Sequence, residues 1–147
     1  MSDVQEWTHE GFTITCDPAR IDRAAVHAFL TGSYWAQGIS RELVDRSLDG
    51  SLCFALLEGA RQVGFARVIT DQATFAYLGD VYVLPQLRGR GLGKWLIRCV
   101  MAHPRLQGLR RWILVTRDAH ELYAPVGFAP LSSPDGYMEK HRRDAYL

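Results

Sequence analysis

Hydrophobic and polar residues along this chain repeat with two periods, and the switches between them divide it into elements. Residues 11–16, GFTITC, alternate apolar with polar and predict a strand. Asp17 and Pro18 then supply an N-cap and a first helical residue. Ile21, Ala25, Ala28 and Phe29 follow on one face, predicting a helix to about Leu30. TGSYWAQGI (31–39) reads as a glycine-containing loop. Ser40 caps a second short helix, with Leu43, Val44 and Leu48 inward and Gly50 near its end. Three strand-like runs, LCFALLEG, QVGFARVIT and TFAYLGDVYVL, are joined by short turns and predict antiparallel neighbours. After Gly93, the residues Trp95, Leu96, Cys99 and Val100 recur at helical spacing up to Pro104. RRWILVT (110–116) is a further strand and DAHELYA (118–124) a short helix capped by Asp118. GFAPL and GYMEK are candidate last strands. The order β-α-α-β-β-β-α-β-α-β-β predicts an α/β (α+β) fold with a mixed, mostly antiparallel sheet.

Composition narrows the partners. The 147 residues suit one domain, 1–147, and no repeat or linker interrupts them. With 48% hydrophobic and 22% charged residues and a net charge of +1, neither nucleic acid nor an anionic membrane is the expected partner. The basic clusters Arg110-Arg111 and Lys140-His141-Arg142-Arg143 read as solvated surface. Cys16, Cys53 and Cys99 have no metal-ligand spacing and lie in apolar runs, so buried reduced thiols are expected. His9, His27, His103, His120 and His141 form no close pairs, and no metal site is expected. The polar, acidic start MSDVQEWTHE is unlike a signal peptide, and no apolar run approaches membrane-spanning length. A cytoplasmic protein is expected.

The chemistry concentrates in residues 81–96, VYVLPQLRGRGLGKWL. A β-branched run stops at Pro85, glycines stand at 89, 91 and 93, and an amphipathic helix follows. The first amides of a helix have no intrahelical partner, and the macrodipole adds roughly half a positive charge there. Glycines allow positive φ and close approach, and Arg88 and Arg90 can add charge-assisted hydrogen bonds. The turn is therefore a candidate phosphate site. It is not a P-loop, because Gly93-Lys94 is followed by Trp95 and Arg88 stands five residues before Gly93. The dinucleotide fingerprint also fails, with Leu96 at its third glycine position.

RGRGLG (88–93) fits the Arg/Gln-x-x-Gly-x-Gly/Ala signature of the GCN5-related N-acetyltransferases (GNAT). The resemblance continues: GFARVIT looks like that family's third strand, LGDVYVLP like its fourth, and LYAPVGF (122–128) like its Leu-Tyr-x-x-x-Gly-Phe segment. It covers roughly residues 50–130. It implies acetyl transfer from acetyl-CoA to an amine, without a metal. Carried over, the turn residues Arg88, Gly89, Arg90, Gly91, Leu92, Gly93 and Lys94 hold the pyrophosphate. Where the fourth strand splays from the fifth, the main chain of Val81, Tyr82 and Val83 holds pantetheine and polarises the thioester carbonyl.

Tyr123 matches the family tyrosine that protonates the departing thiolate; a half-buried core tyrosine is the other reading. Pro125 departs from the family pattern and should end the helix near Ala124. Thr116 or Asp118 stands where the family often has a cofactor-touching asparagine. Asp80 lies in an otherwise apolar strand, so it is either the proton acceptor or a carboxylate paired with an arginine or nearby amides. Asp118 and His120 are the substitutes if the fold turns them inward. Tyr34, Trp35 and Gln37 lie in the loop that roofs the acceptor in this family. Tyr34 and Trp35 either bound an amine or pack on the neighbouring helices. The expected reaction is direct attack by a primary amine, that of a small molecule, in a ternary complex. A non-catalytic acetyl-CoA sensor and a protein or peptide N-acetyltransferase are the alternatives, and monomer and homodimer both stay open.

Overall fold

Six strands hydrogen-bond in sequence order into one sheet in the computed structural model, which describes residues 4–147. They are β1 (Glu6–His9), β2 (Phe12–Thr15), β3 (Leu52–Glu58), β4 (Arg61–Thr70), β5 (Phe75–Val83) and β6 (Arg111–Leu114). Neighbours run antiparallel except β5 and β6, which are parallel. The helices are α1 (Arg23–Leu30), α2 (Arg41–Asp49), α3 (Leu92–Ala102) and α4 (His120–Tyr123). The predicted α/β class, with a mostly antiparallel sheet flanked by helices, is the one observed.

The sheet separates two cores. On one side α3 buries Leu92, Leu96, Ile97, Cys99 and Val100 against Phe54, Leu56, Ala66, Ala76 and Leu78. That i, i+4, i+5, i+8 pattern is one stripe of a helix. On the other side Val26 and Leu30 of α1 and Val44 and Leu48 of α2 pack with Phe65 and Tyr82. The ring of Phe29 stacks on Tyr82 at 3.9 Å between centroids. The three cysteines are free and buried, and burial pushes Cys16 and Cys53 up to about 12 and Cys99 up to about 11. Thiols so disfavoured as thiolates are inert packing groups.

Four expectations need correction. The pair β1–β2 begins in the polar start of the chain, where no strand was expected; β1 is mostly exposed, so it carries little hydrophobic pattern. The first helix is split. Asp17 caps only a 3-10 turn, Pro18–Arg20, and α1 restarts behind Asp22, whose side chain accepts from the amide of Ala25. The amide of Asp22 donates to the carboxamide oxygen of buried Gln62 at 2.7 Å, which fixes the break. Val26 and Leu30, not Ala25 and Ala28, then point inward. Asp118 does not cap α4; the N-cap is Ala119, and the amide of Ala119 donates to the Thr116 hydroxyl. Finally, GFAPL and GYMEK form no strands. Gly127 has φ +105°, and Pro130 and Pro134 have no amide for a ladder, so residues 129–147 run irregularly and exposed.

Among the described residues, no helix is long and apolar enough to cross a membrane.

Candidate active site

A single irregularity in β5 organises the site. Phe65 of β4 faces Tyr82, but Arg67 faces Gly79, so Asp80 and Val81 together oppose Ala66. This is a β-bulge, and Asp80 takes φ +55°, which Asp tolerates better than most residues. One extra residue exchanges the faces of everything beyond it. Ala76 and Leu78 point to the α3 core, yet Tyr82 points to the α1–α2 core, while Val81 and Val83 pack toward α3. Asp80 is thereby moved off the α3 face. Its Oδ2 accepts from Nε of Arg67 at 2.7 Å, and its Oδ1 accepts from the indole N–H of Trp35 at 2.8 Å. Arg67 also donates to the Ser51 hydroxyl at 3.0 Å.

The second feature is a splay. β5 and β6 pair only from Phe75–Leu78 against Arg111–Leu114. Past that point the strands separate, so the β6 side of Val81, Tyr82 and Val83 is unpaired main chain facing a cleft of about 690 Å³.

The glycine turn closes one end of this cleft. Gly89 and Gly91 have φ +81° and +78°, and a Cβ at either would meet nothing within 4 Å. Gly91 is the N-cap of α3 and supplies no side-chain cap, and the first helical bond runs from Trp95 to Gly91. The amides of Leu92, Gly93 and Lys94 therefore precede the ladder and open onto the cleft. Nε of Arg88 donates to the Val83 carbonyl at 3.1 Å, tying the turn to β5. Arg90 is not brought in: its guanidinium lies 5.4 Å from the Phe12 ring centroid, outside the cleft.

A second cleft, about 1100 Å³, adjoins the first and contains Asp80, Arg67 and Tyr77. The two share Tyr34, Trp35, Val81, Asp118, Ala119 and Tyr123. Tyr123 ends α4 and continues into a 3-10 turn, Ala124–Val126, which is where Pro125 placed the end of the helix. Its ring meets Phe128 edge-on at 5.9 Å, and its hydroxyl has no hydrogen bond to another described residue. Burial pushes this phenol up to about 12. It is a neutral hydrogen-bond donor at the junction of the two clefts.

Tyr34 and Trp35 are part-exposed, at 48% and 40%, and touch edge-to-face at 5.1 Å. The Tyr34 hydroxyl accepts from the amide of Arg117 at 3.3 Å, and the Arg117 guanidinium lies 3.8 Å from its ring centroid. The α1–α2 loop is thus bonded to β5 through Trp35 and to the β6–α4 loop through Tyr34. Gln37 and His120 line neither cleft. Among the described residues no group of three His, Cys, Asp or Glu gathers for a metal.

Some cleft residues went unread in the sequence. Arg67 was visible as the one charge inside GFARVIT, a signal that it needed a buried partner. Glu139, Lys140, His141, Arg143 and Tyr146 of the C-terminal segment border the second cleft, and their exposed, basic pattern had suggested plain surface.

Residues 49–130 match the family described as "Acetyltransferase (GNAT) domain". The chain belongs to this family. It is an acetyltransferase, and use of acetyl-CoA is general to the family. Two similar proteins carry the description "putative acetyltransferase". One, from Gibberella zeae, is 33% identical over 142 residues, covering 81% of this chain and 79% of its own. The other, of the GNAT family, is a crystal structure from Xanthomonas campestris pv. campestris; it is 48% identical, with a TM-score of 0.90 over 95% of this chain and 99% of that one. A Clostridium acetobutylicum protein described as a "predicted acetyltransferase" and solved with acetyl-CoA shares the fold, with a TM-score of 0.63 at 12% identity over 94% of this chain and 96% of that one.

Proposed function

We propose that this acetyltransferase moves the acetyl group of acetyl-CoA to a primary amine of a small molecule, by direct attack with both substrates bound. The observation that carries the reading is the meeting of two clefts at Tyr123 and the unpaired edge of Val81–Val83. One cleft ends in free helix amides and positive-φ glycines, chemistry suited to a pyrophosphate. It is lined by Val81, Tyr82 and Val83 of β5, whose unpaired main chain can bond an extended pantetheine chain. The relative solved with acetyl-CoA has the same fold, which supports placing the cosubstrate here.

In the reaction an N–C bond forms and the thioester C–S bond breaks. The attacking ammonium must first lose a proton, the tetrahedral oxyanion needs a donor, and the nitrogen sheds a second proton after the N–C bond forms, which balances the proton the departing thiolate gains. The main-chain amides of the bulged strand are the donors nearest the carbonyl position in this reading. Tyr123, neutral and without a described hydrogen-bond partner, supplies the proton or hydrogen bond to sulfur. Asp80 has both oxygens engaged, by Arg67 and Trp35. In this reading it is a positioning residue that seats Trp35 over the junction, and water in the acceptor cleft carries away the amine proton.

The test is an acceptor screen: protein, acetyl-CoA and a panel of free amines and short peptides, with thiol release followed. Acceptor-dependent release with free amines is the expected result. Release with peptides alone would replace the small-molecule acceptor by a protein one. Binding of acetyl-CoA with no release from any acceptor would overturn the catalytic assignment of Tyr123.

A further inference from the structure

We propose that the acceptor amine also carries an anionic group, a carboxylate or a phosphate, received by cations in the part of the acceptor cleft that the cofactor cleft does not share. The proposal rests on the amine-acetylating reading above and narrows its substrate class.

The charges around this cleft sort into two zones. Beside β5 and the β6–α4 loop they are matched. Asp80 is paired with Arg67 at 2.7 Å, and Arg117 lies over the Tyr34 ring and 3.9 Å from Asp118. Along α2 and the C-terminal segment they are not. Arg46 of α2 and Lys140, His141 and Arg143 of the C-terminal segment border only the acceptor cleft, with Glu139 as the remaining carboxylate. Arg46, Lys140 and Arg143 have no ion pair to any described residue.

These cations are brought together by tertiary contact. The segment crosses back to the α1–α2 loop, where Gly38 has φ +82° and a Cβ would stand 2.8 Å from the Tyr146 carbonyl oxygen. Only a residue without a side chain lets the segment lie so close, so Gly38 seats it against the cleft. Like charges held around a concave surface raise its potential and concentrate a counter-ion there. Guanidinium and ammonium groups bind carboxylate and phosphate through charge-assisted hydrogen bonds. A polyamine, cationic along its length, would be repelled at the same place.

The experiment compares matched acceptors with and without the anion: an amino acid against its carboxamide, and phosphoethanolamine against ethanolamine, each with acetyl-CoA and thiol detection. One charge-assisted hydrogen bond is enough for KM at least about tenfold lower for the anionic member. The pair that shows the difference tells carboxylate from phosphate. In the double variant Arg46→Glu, Arg143→Glu, with folding checked by circular dichroism, the KM ratio should fall toward one. Equal or better use of the neutral members, or a ratio that survives charge reversal, overturns the proposal and leaves amine acetylation standing. If no amine of the panel is acetylated, the small-amine reading falls, and calorimetric titration of the same pairs into CoA-loaded protein decides the anion site. Tighter binding of the anionic member, lost on charge reversal, supports it, and equal binding overturns it.

Discussion

The indole N–H of Trp35 donates a 2.8 Å hydrogen bond to Oδ1 of Asp80, a residue held at φ +55° in the bulge of β5. This bond joins the α1–α2 loop to the bulged strand β5, and Arg67 completes it from β4. The Arg67 and Asp80 side chains are only 17% and 11% exposed, so the pair is largely removed from water.

Asp80→Asn keeps an acceptor for the indole and leaves Arg67 without its counter-charge. Breaking a buried pair by neutralising one partner costs about 3–5 kcal/mol. The urea midpoint should fall and KM for the acceptor should rise, while the shape of the kcat–pH profile stays that of the parent. A variant of parent stability whose low-pH limb is displaced would restore Asp80 as the proton acceptor.

Gly91→Glu should weaken CoA binding at least about tenfold, since a carboxylate would stand where the proposed site places the pyrophosphate charge. The empty space around a Cβ at Gly91 means that the free protein accommodates the side chain, at a conformational cost of about 1–2 kcal/mol. Gly91→Asn separates the two effects, because Asn adopts positive φ without the charge. Isothermal titration with CoA checks this, and an unchanged affinity in folded Gly91→Glu would remove the turn from the cofactor site.

Tyr123→Phe should lower kcat on the order of 10²-fold with little change in CoA affinity, the signature of a lost proton donor. Retained kcat with reduced stability would make Tyr123 a packing residue. The hydroxyl also sets a pH effect. Burial raises Tyr82 and Tyr123 to about 12, against an ordinary phenol near 10, so the folded state holds these protons more tightly than the unfolded chain. Stability is fully present below pH about 10 and is lost as pH rises from there toward 12. Burial also raises Tyr77, so the variant keeps two such phenols, Tyr77 and Tyr82, and should lose less than the parent, which denaturant titration from pH 9 to 11.5 would show.

Much of the site was legible because it is made of local patterns. Gly89 and Gly91 announce positive φ before any packing is known, Gly93 falls inside the helix instead, and the stripe Leu92, Leu96, Val100 announces that helix. Pro125 correctly marked the end of α4. Long-range pairing was less legible. Asp80 read equally well as a base or as half of an ion pair, since its partners Arg67 and Trp35 lie 13 and 45 residues away. The split of the first helix depended on Gln62, 40 residues from Asp22.

What this sequence determines by itself is therefore the set of elements with a short period, the glycine turn, and the family they resemble, because each is encoded within a few consecutive residues. The tertiary structure decided the rest: the bulge that turns Asp80 off the α3 face, the unpaired edge of Val81–Val83, and the return of residues 139–146 to the second cleft. The bulge is a mismatch between two strands, so neither strand records it alone. The basic segment ending the chain looks like any solvated run until Gly38 lets it lie against the α1–α2 loop. Such positions are set by which surfaces can close on one another, a property of the whole packed chain.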